Sequence, residues 1–188
     1  MDSEDHLLNY AHDMRNDMEV YIYTTREKLE NELAPYVTEQ DKQTLLNIMN
    51  ETKHWFESGH PDITLKSVID EKNTALTGTG DRVYKRRNDW EQLDMSLNNF
   101  KGALDQNIKR IQVEYDKLTN KQATSLTNEN VEELKKIVEN YNDTLNNSTE
   151  KLAKALKYVD PPVSYEALNR HLKDFNDVSL FIFKTNIY

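Results

Sequence analysis

The densest cluster of charge in this sequence is Lys85-Arg86-Arg87, with Lys109-Arg110 further along. Guanidinium and ammonium groups set side by side suit carboxylates or phosphates. Asp89, Glu91 and Asp94 follow closely, so the same cations also suit ion pairing along a helix surface. The chain carries 24 basic and 33 acidic residues, a net charge of −9. That balance argues against nucleic acid as the main partner, because phosphate binding needs an extended cationic face. The sharper reading of Lys85, Arg86 and Arg87 is a docking patch for an acidic protein surface.

Other constellations read as structure. Thr77-Gly78-Thr79-Gly80-Asp81 has the residue types of a phosphate-binding turn. That chemistry needs a preceding strand, and the segment before it is helical in pattern, so it reads as a linker. His6, His12, His54, His60 and His171 show no i, i+4 pairing, so no metal site is expected. Asp70-Glu71 and Glu132-Glu133 are paired carboxylates on charged helical faces and read as solvated surface. No serine sits in a G-x-S-x-G elbow, and there is no cysteine for a thiolate site or a disulfide. No catalytic site is expected. Asn50-Glu51-Thr52, Asn142-Asp143-Thr144, Asn146-Asn147-Ser148 and Asn147-Ser148-Thr149 are acceptor triplets for glycosylation.

The elements that must position these groups follow from apolar spacing. Leu7, Ala11, Met14, Met18, Tyr21 and Thr25 alternate four and three apart, predicting a helix from Asp5 to Leu33 that Pro35 stops. Thr38 caps a second helix, with Asp41 at the third helical position and Leu45, Met49, Thr52, Trp55 and Phe56 on its inner face. Gly59 and Pro61 are expected to end it. A short third helix spans Asp62 to Leu76, and Thr77-Gly78-Thr79-Gly80 is expected to break the chain. A long fourth helix runs from Asp81 to Asn120, with Trp90, Leu97, Leu104, Ile111 and Leu118 seven apart. The fifth runs from Thr127 or Asn128 to Val159. The sixth is capped by Ser164 and runs toward Phe183.

This pattern predicts an all-α protein with no strands. A small lid-type bundle occupies residues 1–77, a long antiparallel three-helix bundle 81–183, and a frayed tail 184–188. The longest apolar run, Val178 to Phe183, is interrupted by Ser179 and falls far short of the ~20 residues a membrane span needs. The acidic start Met1-Asp2-Ser3-Glu4-Asp5 is unlike a signal peptide.

One stretch carries more than pattern. Glu19-Val20-Tyr21-Ile22-Tyr23-Thr24-Thr25-Arg26-Glu27-Lys28-Leu29 resembles the E-x-Y-V-Y-x-x-R-D-K-L segment in the C-terminal lid of large chaperones of the seventy-kilodalton heat-shock superfamily. Tyr36-Val37-Thr38-Glu39-Gln40-Asp41 resembles that family's F-V-S-E-x-D turn. Asn50 to Glu57, with Trp55-Phe56, resembles the helix that follows. Arg15-Asn16 with Met18-Glu19 resembles the K-N-x-L-E ahead of the tyrosines. The further hundred residues of helix are similar to the large branch, comprising the 110-kilodalton heat-shock proteins and their glucose-regulated, hypoxia up-regulated relative of the endoplasmic reticulum. Arg82-Val83, Arg86-Arg87, Trp90 and Leu97-Asn98-Asn99 look more like the reticulum relative, and Pro162-Val163 before the sixth helix fits that branch.

The resemblance implies a C-terminal fragment of a chaperone that holds unfolded clients and serves as nucleotide exchange factor for a heat-shock-70-type partner. The ATPase domain, with its ATP and Mg, and the β-sandwich peptide-binding domain would then precede Met1, leaving no cofactor in this stretch. Partners would be the heat-shock-70-type chaperone and unfolded clients, with no nucleic acid or membrane. The compartment would be the endoplasmic-reticulum lumen or the cytoplasm, with the details leaning to the former. Two other readings stand beside this one: a stand-alone spectrin-like or coiled-coil scaffold, and client binding through Val178, Leu180, Phe181, Ile182 and Phe183.

Overall fold

The computed structural model describes residues 2–58, 65–122, 124 and 126–185. Among these the fold is all-α, with no strand. The helices are α1 (Asp2–Glu30), α2 (Glu39–Glu57), α3 (Lys66–Thr119), α4 (Asn128–Ala153) and α5 (Tyr165–Thr185), with one 3-10 turn at Ala34–Tyr36 between α1 and α2.

The expected break at Thr77-Gly78-Thr79-Gly80 does not occur: α3 runs through it for 54 residues. The apolar row explains why. Ile69, Leu76, Val83, Trp90, Leu104 and Ile111 are buried on one seven-residue register that passes straight across the glycines, with Leu97 and Leu118 on the same row. Packing along a sustained stripe outweighs the roughly 1 kcal/mol that each helical glycine costs.

The chain divides into two units, Met1–Asn88 with Lys157–Asp160, and Asp89–Leu156 with Pro161–Tyr188. The division falls inside α3, at residue 88 rather than in the 77–81 segment.

In the first unit, α1 and α2 run antiparallel. Going along α1, Arg15 lies over Phe56, Tyr23 faces Lys53, Arg26 bonds Asn50 and Glu30 pairs with Lys42. The first part of α3 runs parallel to α1, with Tyr10 on Asp70, Tyr21 on Asp81 and Thr25 on Tyr84. Met18, Ile22 and Leu29 from α1, Leu45 and Met49 from α2, and Ile69 and Leu76 from α3 fill the core.

In the second unit, Phe100 of α3, Tyr141 of α4 and Phe175 of α5 form a triangle of rings with centroids 5.2 to 6.3 Å apart. Each such pair contributes about 0.5–1.5 kcal/mol beyond its area. Leu93, Leu104, Val131, Leu134 and Leu168 surround it. Here α4 runs against α3, with Lys135 over Tyr115, while α5 runs with α3, with Arg110 stacked 3.6 Å over Phe183.

Helix ends follow local chemistry. Thr38 Oγ1 accepts the Asp41 N–H at 3.0 Å. Thr127 and Asn130 form a full capping box at the start of α4, and Ser164 Oγ accepts the Ala167 N–H at 3.1 Å at the start of α5. Leu33 N–H bonds back to the Lys28 carbonyl, so α1 closes at Glu30 rather than Leu33, and Pro35 lies in the 3-10 turn. At the end of α3, Lys121 takes φ 53° while Gln122 N–H bonds the Lys117 carbonyl, a Schellman closure without glycine. α4 ends at Ala153 rather than Val159. Residues 157–160 make contacts in the first unit instead of extending the helix: Lys157 lies over the Tyr36 ring, and Asp160 pairs with Arg86. Gly59, Pro61 and Asp62, on which the end of α2 and the start of the next helix were expected, lie outside the described residues, as do residues 186–188.

Candidate partner-docking site

The basic cluster sits on α3 within the first unit, and its three members differ in environment. Lys85 is exposed. Arg86 is 17% exposed; its Nη1 donates to the Tyr36 carbonyl at 2.9 Å and its Nε to Asp160 Oδ1 at 3.1 Å. Arg87 reaches the turn just after α1, with Nη1 donating to Glu32 Oε2 at 2.6 Å. Arg86 and Arg87 therefore tie elements of the unit together. Their spacing in sequence could not reveal this, since the acceptors lie 50 to 74 residues away.

Position 82, absent from the sequence-level patch, joins Arg86. Thr79, Arg82, Val83 and Arg86 recur at helical spacing and line a cavity of about 160 Å³ with Asp41 of α2. Arg82 Nε donates to the Gly78 carbonyl at 3.2 Å. The signal for this site was an arginine pair four apart, hidden by the denser run just after it.

Other sequence candidates resolve into structural roles. His6, His12, His54 and His171 are exposed. Among the described residues no group of three His, Cys, Asp or Glu could hold a metal ion, and no helix is long and apolar enough to cross a membrane. The Asp70 carboxyl is held below its usual range, chiefly by the hydrogen bond from Lys66 and then by that from Tyr10. Glu132 pairs with Lys135 at 2.8 Å. A carboxyl lowered as that of Asp70 is stays ionised and is unsuited to donating a proton near neutrality. Glu114 is likewise lowered, first by Lys117 and then by Thr124. The glycosylation triplets lie in α2 and α4, and Thr52 and Ser148 within them are buried.

The end of α5 is divided. Ile182 and Phe183 are buried in the second unit, while Val178, Leu180 and Phe181 are exposed, Phe181 to 67%. An apolar groove of about 340 Å³ lies between α3 and α4 and includes Ile108, Ile111 and Val138.

Comparison with known proteins gives heat shock proteins among the relatives. Heat shock protein 88 of Dictyostelium discoideum is 32% identical over 101 residues, covering 54% of this chain and 13% of that protein. The 97 kDa heat shock protein of Mesocentrotus franciscanus is 31% identical over 112 residues, covering 56% and 12%. A heat shock protein homolog of Saccharomyces cerevisiae is 33% identical over 77 residues, covering 40% and 11%. The chain is a distant homologue of these heat shock proteins. It spans about an eighth of the length of the relatives it matches. No protein-family profile matches it, and neither does any solved structure. Relatedness to heat shock proteins and an all-helical architecture thus stand together.

Proposed function

We propose that this chain is the C-terminal lid and docking part of a large chaperone. The parent would hold unfolded clients and act as nucleotide exchange factor for a heat-shock-70-type partner. The observation that carries this reading is the match to several large heat shock proteins at about 30% identity over 77 to 112 residues. The role proposed here is mechanical and non-catalytic. A surface on the helices contacts the partner's ATPase domain more favourably in its open state than in its closed one, and nucleotide leaves from the open state. Binding both states equally would accelerate nothing. Lys85, Arg86 and Arg87 remain the proposed edge of that contact. The proposed compartment is the endoplasmic-reticulum lumen or the cytoplasm.

A client-holding role is favoured by one further observation, the exposed Val178, Leu180 and Phe181 on α5. Exposed apolar side chains so grouped suit transient burial against unfolded segments.

Release of a fluorescent nucleotide from a seventy-kilodalton chaperone tests the main reading. It is measured with this chain and with a longer form carrying the upstream domains. Acceleration by the longer form that diminishes on charge reversal at Lys85 supports it. Equal release with and without the longer form removes it.

A further inference from the structure

Arg86 is a cation held in place before any partner arrives. Its Nη1 is anchored on the Tyr36 carbonyl and little of its side chain meets solvent, so its guanidinium is presented in one orientation. Its carboxylate partner, Asp160, is 86% exposed. A pair with one member in water is weak and readily exchanged. Arg82 stands one turn away on the same cavity wall, and its bond to Gly78 uses one of the five donors of its guanidinium. Thr79 adds a hydroxyl to the wall. The remaining charged group is Asp41, in the first turn of α2. Two guanidiniums beside the one lining carboxylate leave room for one further negative charge, the place that Asp160 takes at Arg86. A dianionic phosphate would meet Asp41 at close range, whereas a single carboxylate satisfies the balance.

We propose that the Arg82–Arg86 cavity receives a carboxylate side chain from the surface of a partner protein. Asp160 competes for Arg86 as an internal stand-in. This deepens the docking role proposed above and rests on it for the partner's identity. It moves the recognition point from Lys85-Arg86-Arg87 to a pair of arginines four apart, and it makes residues 157–160 a regulator of their availability.

The test uses the 188-residue chain and two probes, a fluorescein-labelled glutamate-rich peptide and a purified seventy-kilodalton heat-shock chaperone. Arg82→Gln should weaken peptide binding about fivefold, because a charge-assisted contact is lost. Asp160→Asn and Asp41→Asn should each strengthen it about two- to threefold, because each removes a competitor for the guanidiniums. Circular dichroism confirms that each variant keeps its helix content. Peptide affinity unchanged by Arg82→Gln, or weakened by Asp160→Asn, overturns the proposal. So does displacement of the peptide by inorganic phosphate at lower concentration than by acetate. If the peptide follows the expected pattern while the chaperone fails to bind, the cavity assignment holds and the choice of partner falls. If the chaperone binds with no response to the three variants, the cavity assignment falls.

Discussion

The phenol of Tyr21 lies directly over Gly80. A methyl group placed on residue 80 would stand 3.1 Å from Tyr21 Cζ and closer still to its oxygen. The oxygen also donates to Asp81 Oδ1 at 3.3 Å. Gly80 is there for the approach of α1 to α3, inside a helix, and makes no turn.

Gly78 is the control. A methyl there meets no atom of the described residues within 4 Å. Gly78→Ala should stabilise the chain by about 0.5–1 kcal/mol through lower unfolded-state entropy. Gly80→Ala gains the same term but displaces Tyr21, so it should be less stable than Gly78→Ala by about 1–3 kcal/mol, the usual cost of overpacking. Urea denaturation of the two variants side by side measures the difference. Equal midpoints would mean that Tyr21 moves aside freely.

Tyr21 also sets an alkaline limit. Burial, and then the charge of Asp81, pushes its phenol well above the ordinary value of 10.0. Below pH 10 the group is neutral in both states and contributes no pH dependence. Above pH 10 the unfolded chain loses this proton while the folded chain keeps it, so stability falls as pH rises toward the folded pKa. Thermal melts from about pH 9 to 11.5 should show a decline that Tyr21→Phe makes shallower. A variant with the same slope as the parent would place the loss on other tyrosines.

Ser179 is 2% exposed on α5, and its hydroxyl has no hydrogen-bond partner among the described residues. A buried, unsatisfied hydroxyl costs about 1–3 kcal/mol. Ser179→Ala should therefore raise the stability of the second unit by about 1 kcal/mol, read as a higher urea midpoint at unchanged m-value. Loss of stability would imply that the hydroxyl is satisfied.

The helices were legible because each carries its apolar stripe in sequence order. Met18, Ile22, Thr25 and Leu29 are buried as their spacing requires, α4 begins at Asn128 within the expected Thr127–Asn128 start, and Ser164 caps where its position suggested. The glycines at 78 and 80 misled because glycine is weighed locally as a breaker, whereas burial of Ile69, Leu76 and Val83 acts over three consecutive heptads. The seven-residue row was visible from Trp90 onward and continues upstream of it. The end of α4 was illegible for another reason. Leu156 and Val159 keep the helical spacing but are exposed, since residues 157–160 are claimed by Tyr36 and Arg86, which lie far earlier in the chain. The proposed docking site was half legible. A run of three cations advertises itself, but which guanidiniums line a cavity depends on where Asp41 and Tyr36 fold back, and adjacency in sequence carries no trace of that.

The four residues that α4's connection lends to the first unit have a consequence for biosynthesis. A ribosome delivers α1, α2 and the opening turns of α3 well before it delivers Asp160. The nascent chain thus holds Arg86 without its internal carboxylate until 74 further residues have been added, and any acidic neighbour met in that interval meets it unshielded.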